Sequence, residues 1–214
     1  MKVFRAEALH DLDYDEIVAL LRGGGIIAFP TDTAYGLGVD PFNGAAVDRI
    51  FQLKGRPETK PILLVIESIG MAESIIRPPE MFYPLAQKFW PGPLTMVVEA
   101  KPHVPVNLTA GTATIGVRWP VAPAAIRLVS RLGRPITATS ANRTGLPSAV
   151  TAEEIRLQFG DGLDALVDGG VLPVRTGSTL LDITAEPPIL LREGPISFET
   201  LHDFFNGRIR RQVA

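Results

Sequence analysis

Short apolar stretches alternate along this chain with segments of helical periodicity, and glycine and proline separate them. The 214 residues include 20 Gly and 19 Pro, which are spread between the periodic segments rather than gathered in one block. Glycine and proline distributed in this way predict many tight, shaped loops and argue against disorder. Because helices and strands interleave while several strands are consecutive, we predict an α/β fold, a single domain with a twisted mixed sheet flanked by helices.

The predicted elements follow from apolar spacing and from capping residues. Helices are expected at residues 14–22, 44–54, 81–90, 121–132, 152–159 and 197–205. Strands are expected at residues 2–6, 26–29, 62–66, 94–98, 112–119, 136–139, 165–168, 178–183 and 189–191. The domain is assigned to residues 1–207. The basic residues 208–214 are predicted to form a solvated tail, with a weak contact to tRNA as the alternative.

The composition excludes several classes of site. The chain has no cysteine, which excludes disulfides, thiolate zinc sites and a cysteine nucleophile. Its net charge of -2 gives no overall reason to expect nucleic acid or an anionic membrane, so a phosphate site needs a local concentration of Lys and Arg. The first residues lack the apolar core of a signal peptide, and no apolar run could span a bilayer. We therefore expect a cytoplasmic protein without membrane contact.

A polar loop with the sequence P-T-D-T-A-Y-G-L-G, residues 30–38, directly follows the apolar strand at 26–29. Proline ends strand pairing, and the two glycines allow tight turns or the close approach of a bound group. Loops at strand ends are common positions for binding sites in α/β proteins. The alternative is that Thr31 and Asp32 only cap the following turn.

A second loop, K-G-R-P-E-T-K-P at residues 54–61, places three cations at the end of a predicted helix. Lys54 at a helix C-terminus also suits the helix dipole, which is the structural alternative. Three cations on a loop stiffened by two prolines fit a polyphosphate better, because Arg56 can hold oxygens bidentately while Lys54 and Lys60 act as point charges.

Other polar groups stand at the ends of predicted strands. Arg118 closes an apolar strand and needs either an internal carboxylate or a ligand anion as its partner, and spacing alone favours neither. The S-A-N sequence at 140–142 and the R-E-G sequence at 192–194 likewise follow strands, and Ser178 begins one. Hydroxyl and amide groups of this kind can bond a purine edge, a ribose or a phosphate, and they are also turn formers.

Several familiar site patterns do not occur. The sequence has no Walker-type phosphate loop and no complete dinucleotide fingerprint. It has no G-x-S-x-G, so Ser140 is a poor hydrolase nucleophile. His10, His103 and His202 are scattered and are expected to be surface or structural residues, so no protein-held metal site is predicted.

The motifs at residues 30–38, 54–61, 140–142, 178–182 and 192–194 occur in an order that resembles the YrdC-domain family of bacterial threonylcarbamoyl-AMP synthases. The resemblance extends over residues 10–200. It implies an α/β twisted sheet around a basic cavity. It also implies a nucleotidyltransferase that makes L-threonylcarbamoyladenylate and pyrophosphate from L-threonine, bicarbonate and ATP, for N6-threonylcarbamoylation of adenosine 37 in tRNA. Other proteins would then transfer the group to tRNA.

The resemblance also implies roles for individual residues. Catalytic roles fall on Lys54 and Arg56, with Mg²⁺ expected through the ATP phosphates. Positions that match ATP contacts are Arg56, Lys60, Thr114, Ser140, Asn142, Ser148 and Arg192, and positions that match threonine contacts are Thr31, Thr33, Arg118 and Ser178. The chain departs from many relatives at three positions: Lys60 replaces Asn, Val65 replaces a threonine-contacting His, and Ala138 replaces Thr or Ser.

The chemistry implied is attack by the carbamate of threonine on the α-phosphorus of ATP, which needs positioning and charge neutralisation more than acid–base groups. One alternative is a YrdC-like protein that binds nucleotide or double-stranded RNA without synthase activity, against which the net charge of -2 argues mildly. Another is a carbamoyltransferase or an adenylate hydrolase that uses the same cavity.

Overall fold

Thirteen strands and eight α-helices form within the described part of the chain, residues 1–55, 57, 61–173 and 176–212 of a computed structural model. The strands are β1 (Lys2–Arg5), β2 (Ile27–Phe29), β3 (Gly36–Gly38), β4 (Leu64–Val65), β5 (Ile76–Arg77), β6 (Leu94–Ala100), β7 (Thr114–Arg118), β8 (Ile136–Thr137), β9 (Thr139–Ser140), β10 (Ala165–Asp168), β11 (Thr179–Asp182), β12 (Ile189–Arg192) and β13 (Arg210–Arg211). The helices are α1 (Asp11–Arg22), α2 (Gly44–Lys54), α3 (Ile69–Ile75), α4 (Phe82–Phe89), α5 (Val106–Thr109), α6 (Pro123–Leu132), α7 (Ala152–Phe159) and α8 (Phe198–Phe204).

The strands form two mixed sheets. The smaller sheet has the order β1-β10-β2-β3-β9, and the larger has the order β13-β12-β11-β6-β7-β4-β8, with β5 added to the far end of β6. Each sheet combines parallel and antiparallel pairs; in the larger one β11 is parallel to β6, whereas β6 and β7 are antiparallel. The predicted mixed α/β fold is therefore confirmed, although its strands are divided between two sheets.

The two sheets meet at Ala138. We predicted one strand at 136–139, but Thr137 pairs with Leu64 in the larger sheet while Thr139 pairs with Leu37 in the smaller one. Between them the amide of Ala138 donates to the carbonyl of Leu63 at 2.9 Å. The chain thus passes from one sheet to the other within three residues.

Local signals explain several helix boundaries. Asn43 caps α2 by accepting a hydrogen bond from the amide of Ala46 at 3.2 Å, as its position predicted. Thr151 caps α7 in the same way through the amide of Glu154. Helix α1 begins at Asp11, earlier than the predicted residue 14, because the Asp13 carboxylate accepts from the amide of His10 at 2.9 Å.

The basic end of the chain is not a solvated tail throughout. Strand β13 pairs in parallel with β12, and the amide of Gln212 donates to the carbonyl of Leu190 at 2.9 Å. Ile209 is buried. An exposed strand edge offers unpaired donors and acceptors, so a short basic segment that follows it can pair there even though its own composition is polar.

No helix in the described ranges is long and apolar enough to cross a membrane.

Candidate active site

A cavity of about 710 Å³ is lined by residues from both sheets. Alternate residues of a strand share a face, so β7 contributes Thr114, Gly116 and Arg118 to its wall. Strand β11, which β6 separates from β7, contributes Leu180 and Asp182 by the same rule. Volumes of about 300–1,000 Å³ are typical of small-molecule sites, which makes this cavity a candidate active site.

The cavity gathers most of the residues singled out from the sequence. Those that line it are Thr31, Thr33, Thr114, Arg118, Ser140, Ser148, Ser178 and Arg192. Val65 and Ala138, the two departures expected near the amino acid, line it as well. Arg56 and Lys60 lie outside the described residues. The binding role of each of these residues stays a prediction.

Arg118 has an internal partner and also faces the cavity. Its guanidinium donates from Nε to the carbonyl of Gly92 at 3.0 Å, from Nη1 to the hydroxyl of Thr33 at 2.9 Å and from Nη2 to a carboxylate oxygen of Asp32 at 2.5 Å. Arg118 is only 4% exposed. Burial lowers its pKa, and the Asp32 carboxylate opposes that shift.

These contacts answer the question that the sequence left open. A guanidinium has five N–H groups, and protein acceptors within the described residues take three of those on Arg118. One N–H on each terminal nitrogen remains for a further acceptor. The internal carboxylate of Asp32 therefore does not exhaust the capacity of Arg118 to bind an anion in the cavity.

The polar loop at residues 30–38, called here the Thr-rich loop, forms a capped turn and also part of the cavity wall. The Thr31 hydroxyl donates to the carbonyl of Ala34 at 2.6 Å and accepts from the amide of Thr33 at 3.2 Å, which fixes the turn. Thr31 and Thr33 still line the cavity. Asp32 pairs with Arg118, so its carboxylate anchors the loop to β7.

Tyr35 fixes the other side of this loop. Its hydroxyl donates to the carbonyl of Gly170 at 2.8 Å and accepts from the amide of Gly169 at 2.9 Å, which ties the loop to the end of β10. The side chain is fully buried. Burial is the main reason that the pKa of Tyr35 is raised to about 12.

Arg192 and Ser178 form a second polar group in the cavity. Arg192 donates from Nε and Nη2 to the carbonyl of Ser178 at 3.0 and 2.9 Å. The Ser178 hydroxyl lies 2.7 Å from that of Thr95. Burial lowers the pKa of Arg192, and no carboxylate pairs with it among the described residues. An arginine held by neutral groups in a cavity can still neutralise an anionic ligand.

Gly194 explains why the R-E-G sequence ends in glycine. A Cβ at this position would lie 2.5 Å from the amide nitrogen of Thr179 and 2.7 Å from the carbonyl carbon of Ser178. The backbone here also donates from Gly194 to the Thr179 hydroxyl at 3.1 Å. Only glycine allows this close approach, which holds the end of β12 against the start of β11.

Lys54 and Asn142 do not line the cavity with the other predicted residues. The Lys54 ammonium instead donates to the backbone carbonyls of Ser140 and Asn142. The Asn142 side chain bonds within its own loop, to Ser140, Arg143 and Leu146. We predicted a catalytic role for Lys54 and an ATP contact for Asn142. Neither lines the cavity, because their donors are held by backbone carbonyls of the neighbouring loop, and both roles stay predictions.

The sequence analysis missed some lining residues. Asp182 lines the cavity, and its carboxylate accepts from the amide and the hydroxyl of Thr184 at 2.8 and 2.6 Å. Its spacing of four from Ser178 was the available signal, because residues an even number apart on a strand share a face. Gln212 also lines the cavity, and only its pairing beside β12 brings it there.

The charged groups that line the described part of the cavity are Arg118, Arg192 and Asp182. Asp32, which does not line it, forms an ion pair with Arg118 and offsets its charge. The basic character of the cavity therefore stays a prediction that depends on Arg56 and Lys60. Among the described residues, no group of three or more His, Asp or Glu side chains is arranged to hold a metal ion.

Comparison with known proteins places this architecture in a family. The Sua5/YciO/YrdC family model, which carries the description "Telomere recombination", matches residues 19–194. The chain belongs to this family. A threonylcarbamoyl-AMP synthase of Pyrococcus abyssi is 39% identical over 191 residues, which are 89% of this chain and 56% of that protein. The Bacillus subtilis protein of the same name is 38% identical over 194 residues, 90% of this chain and 56% of that protein.

The fold of this Sua5/YciO/YrdC member is also that of a solved relative. The crystal structure of P. abyssi Sua5 complexed with L-threonine superposes with a TM-score of 0.93 at 36% identity, over 99% of this chain and 62% of that chain. The chain thus spans little more than half the length of the two curated relatives.

Proposed function

We propose that this family member is a threonylcarbamoyl-AMP synthase. The carbamate formed from L-threonine and bicarbonate would attack the α-phosphorus of ATP, and pyrophosphate would leave. The product is L-threonylcarbamoyladenylate. The observation that carries the proposal is Arg118, which keeps two N–H groups for an anion in a cavity whose fold matches that of a threonine complex.

The residues divide into two groups by their proposed ligand. Arg118 would receive the threonine carboxylate, with the hydroxyls of Thr31, Thr33 and Ser178 around the amino acid. A planar fork suits a carboxylate better than a point charge does. Val65 and Ala138 would supply an apolar wall in place of the polar groups that many relatives carry.

The ATP side would use neutral hydroxyls and cations. Thr114, Ser140 and Ser148 line the cavity and would bond the nucleotide, and Arg192 would neutralise part of the phosphate charge. Arg56 and Lys60 are proposed for the same task from their sequence positions. Magnesium would arrive as the ATP complex, where it neutralises the phosphates.

The mixed anhydride is labile in water, so an acceptor must capture it before hydrolysis does. Other proteins would transfer the threonylcarbamoyl group to adenosine 37 of tRNA, and we propose such transfer proteins as downstream partners in the cytoplasm. Nothing in the described cavity walls favours the alternative of nucleotide or double-stranded RNA binding without chemistry, which would need many phosphate contacts.

Pyrophosphate release tests the proposal. The purified chain should release pyrophosphate only when ATP, L-threonine and bicarbonate are all present. Arg118→Lys should raise the threonine KM by about tenfold or more, because the fork is lost while the charge stays. Arg77→Lys is the matched control, since Arg77 forms an exposed ion pair with Glu99. Pyrophosphate release in the absence of threonine or bicarbonate would refute the synthase.

A further inference from the structure

We infer that Lys54 and Asn142 are positioning residues that act through Ser140 and do not bind the nucleotide themselves. They hold the loop at residues 140–146, called here the Ser140 loop, so that the Ser140 hydroxyl stands at the cavity wall. The identity of the ligand rests on the proposed function, whereas the clamp on the loop does not.

Lys54 holds the Ser140 loop through three hydrogen bonds. Its Nζ donates to the carbonyl of Ser140 and, at 2.6 Å, to that of Asn142. Its own carbonyl accepts from the amide of Thr144 at 2.8 Å. Lys54 is 3% exposed, so its ammonium is held by the loop rather than by solvent. Hydrogen bonds from a charged donor are stronger than neutral ones, especially where water is excluded.

The Asn142 amide has one orientation only. Its Nδ2 donates to the carbonyls of Arg143 at 3.0 Å and Leu146 at 2.7 Å, and a carbonyl can only accept. The opposite atom facing Ser140 must therefore be the oxygen Oδ1. Because Oδ1 also only accepts, the Ser140 hydroxyl donates to it, at 2.6 Å. This hydrogen bond orients the Ser140 side chain, and Ser140 is one of the residues that line the cavity.

A lysine that positions Ser140 and a lysine that binds phosphate predict different effects on ATP affinity. A lysine that touches phosphate makes its own contribution to ATP affinity, independent of Ser140. A lysine that acts through Ser140 loses its effect once that hydroxyl is gone. It also orders the Ser140 loop before any ligand arrives, which a phosphate contact does not require.

The experiment combines a ligand-free and a ligand-bound measurement on Lys54→Met. Hydrogen exchange followed by mass spectrometry should show amides of the Ser140 loop exchanging at least about tenfold faster without ligand, because the charged bonds are lost. The Kd for ATP should rise by at least about tenfold, while the Kd for L-threonine alone changes by less than about twofold. Lys88→Met is the matched control, since Lys88 lies in the last turn of α4 and is exposed.

The double variant Lys54→Met with Ser140→Ala decides between the two roles. We expect its Kd for ATP to match that of whichever single variant, Lys54→Met or Ser140→Ala, binds ATP less tightly. Multiplicative losses, or unchanged loop exchange in Lys54→Met, would overturn the inference. Asn142→Ala is a second route to the same loop and should speed the same amides if Lys54→Met does not fold. If the wild-type chain binds no ATP, the proposed function fails, and the exchange measurement still tests the clamp.

Discussion

At the scale of single residues, Tyr35 shows how a buried polar group fixes the loop that lines the cavity. Its hydroxyl bonds to Gly169 and Gly170, and these bonds join the Thr-rich loop to the end of β10. The neutral phenol suits this buried place, whereas a phenolate would lose its hydration. The loop is therefore anchored by a group that must keep its proton.

This proton makes stability depend on alkaline pH. The folded pKa of Tyr35, about 12, lies above the ordinary tyrosine value of 10.0, so the folded state retains the proton longer. The contribution of Tyr35 to the free energy of unfolding is fully present below about pH 10 and is lost as the pH rises towards 12. Urea unfolding across this range should show that fall.

Tyr35→Phe is the control for the pH effect. The variant should be less stable at pH 8, because the Gly169 amide and Gly170 carbonyl lose their partner, at a cost of about 1–3 kcal/mol. Its stability should then change less between pH 10 and 12 than that of the wild type. Absorbance at 295 nm should lose the tyrosine that titrates last. An equal alkaline fall in both proteins would assign the effect to other groups.

Arg118 illustrates what residue-level reasoning could and could not settle. An arginine on an apolar strand predicted a partner, and the structure supplies Asp32. The same reasoning could not show that the pair leaves donors available, because that depends on the angles at which Gly92 and Thr33 approach the guanidinium. Such angles arise from tertiary packing and cannot be deduced from the spacing of residues along the sequence.

At the scale of elements, the close contact between the end of β12 and the start of β11 makes a strong prediction. Gly194→Ala would drive a methyl into the backbone of Thr179 and Ser178, at 2.5–2.7 Å. The two segments would have to separate, which should lower the free energy of unfolding by about 2–4 kcal/mol. Chemical denaturation measures this directly.

A second glycine offers a matched control. Gly70 lies within α3, and a Cβ there would meet nothing within 4 Å. Gly70→Ala should therefore leave stability unchanged or raise it by up to about 1 kcal/mol, since alanine is the better helix former. Equal losses in the two variants would show that the contact at Gly194 carries no special weight.

Elements with strong local signals were predictable, and those defined by distant partners were not. Helix α2 agrees with its predicted residues 44–54, because Asn43 and the apolar spacing both lie within the segment. Strand β3 was predicted as loop, since Gly-Leu-Gly has little strand propensity of its own. Strand β3 is stabilised by pairing with β2 on one side and β9 on the other, despite its low strand propensity.

At the scale of the whole molecule, the cavity is the place where both sheets contribute to one binding surface. The smaller sheet supplies Gly36 and Ser140, and the larger supplies Arg118 and Asp182. Sequence motifs predicted most of these residues but not their distribution over two sheets. The division at Ala138, on which that distribution depends, needs the pairing of distant strands.

Ligands that contact both sheets should stabilise the entire fold. A ligand at about 100 times its Kd adds about 2.7 kcal/mol to the free energy of unfolding, and for a chain of this size each kcal/mol raises the Tm by about 2–4 °C. We therefore expect ATP with Mg²⁺ to raise the Tm in one cooperative calorimetric transition. Two transitions, only one of them shifted by ATP, would mean that the sheets unfold separately.

Strand β7 has both of its faces in use. Thr114, Gly116 and Arg118 face the cavity, while Ile115 and Val117 between them are fully buried in the core. Successive residues of β7 are thus constrained differently: one by the shape of the ligand site and the next by packing in the core. A library at Thr114 would therefore change the surface that a ligand meets with little effect on packing. Changes at Gly116 would press on Leu63 and Thr95, and changes at Arg118 would break its buried ion pair with Asp32, so these two positions couple ligand choice to stability.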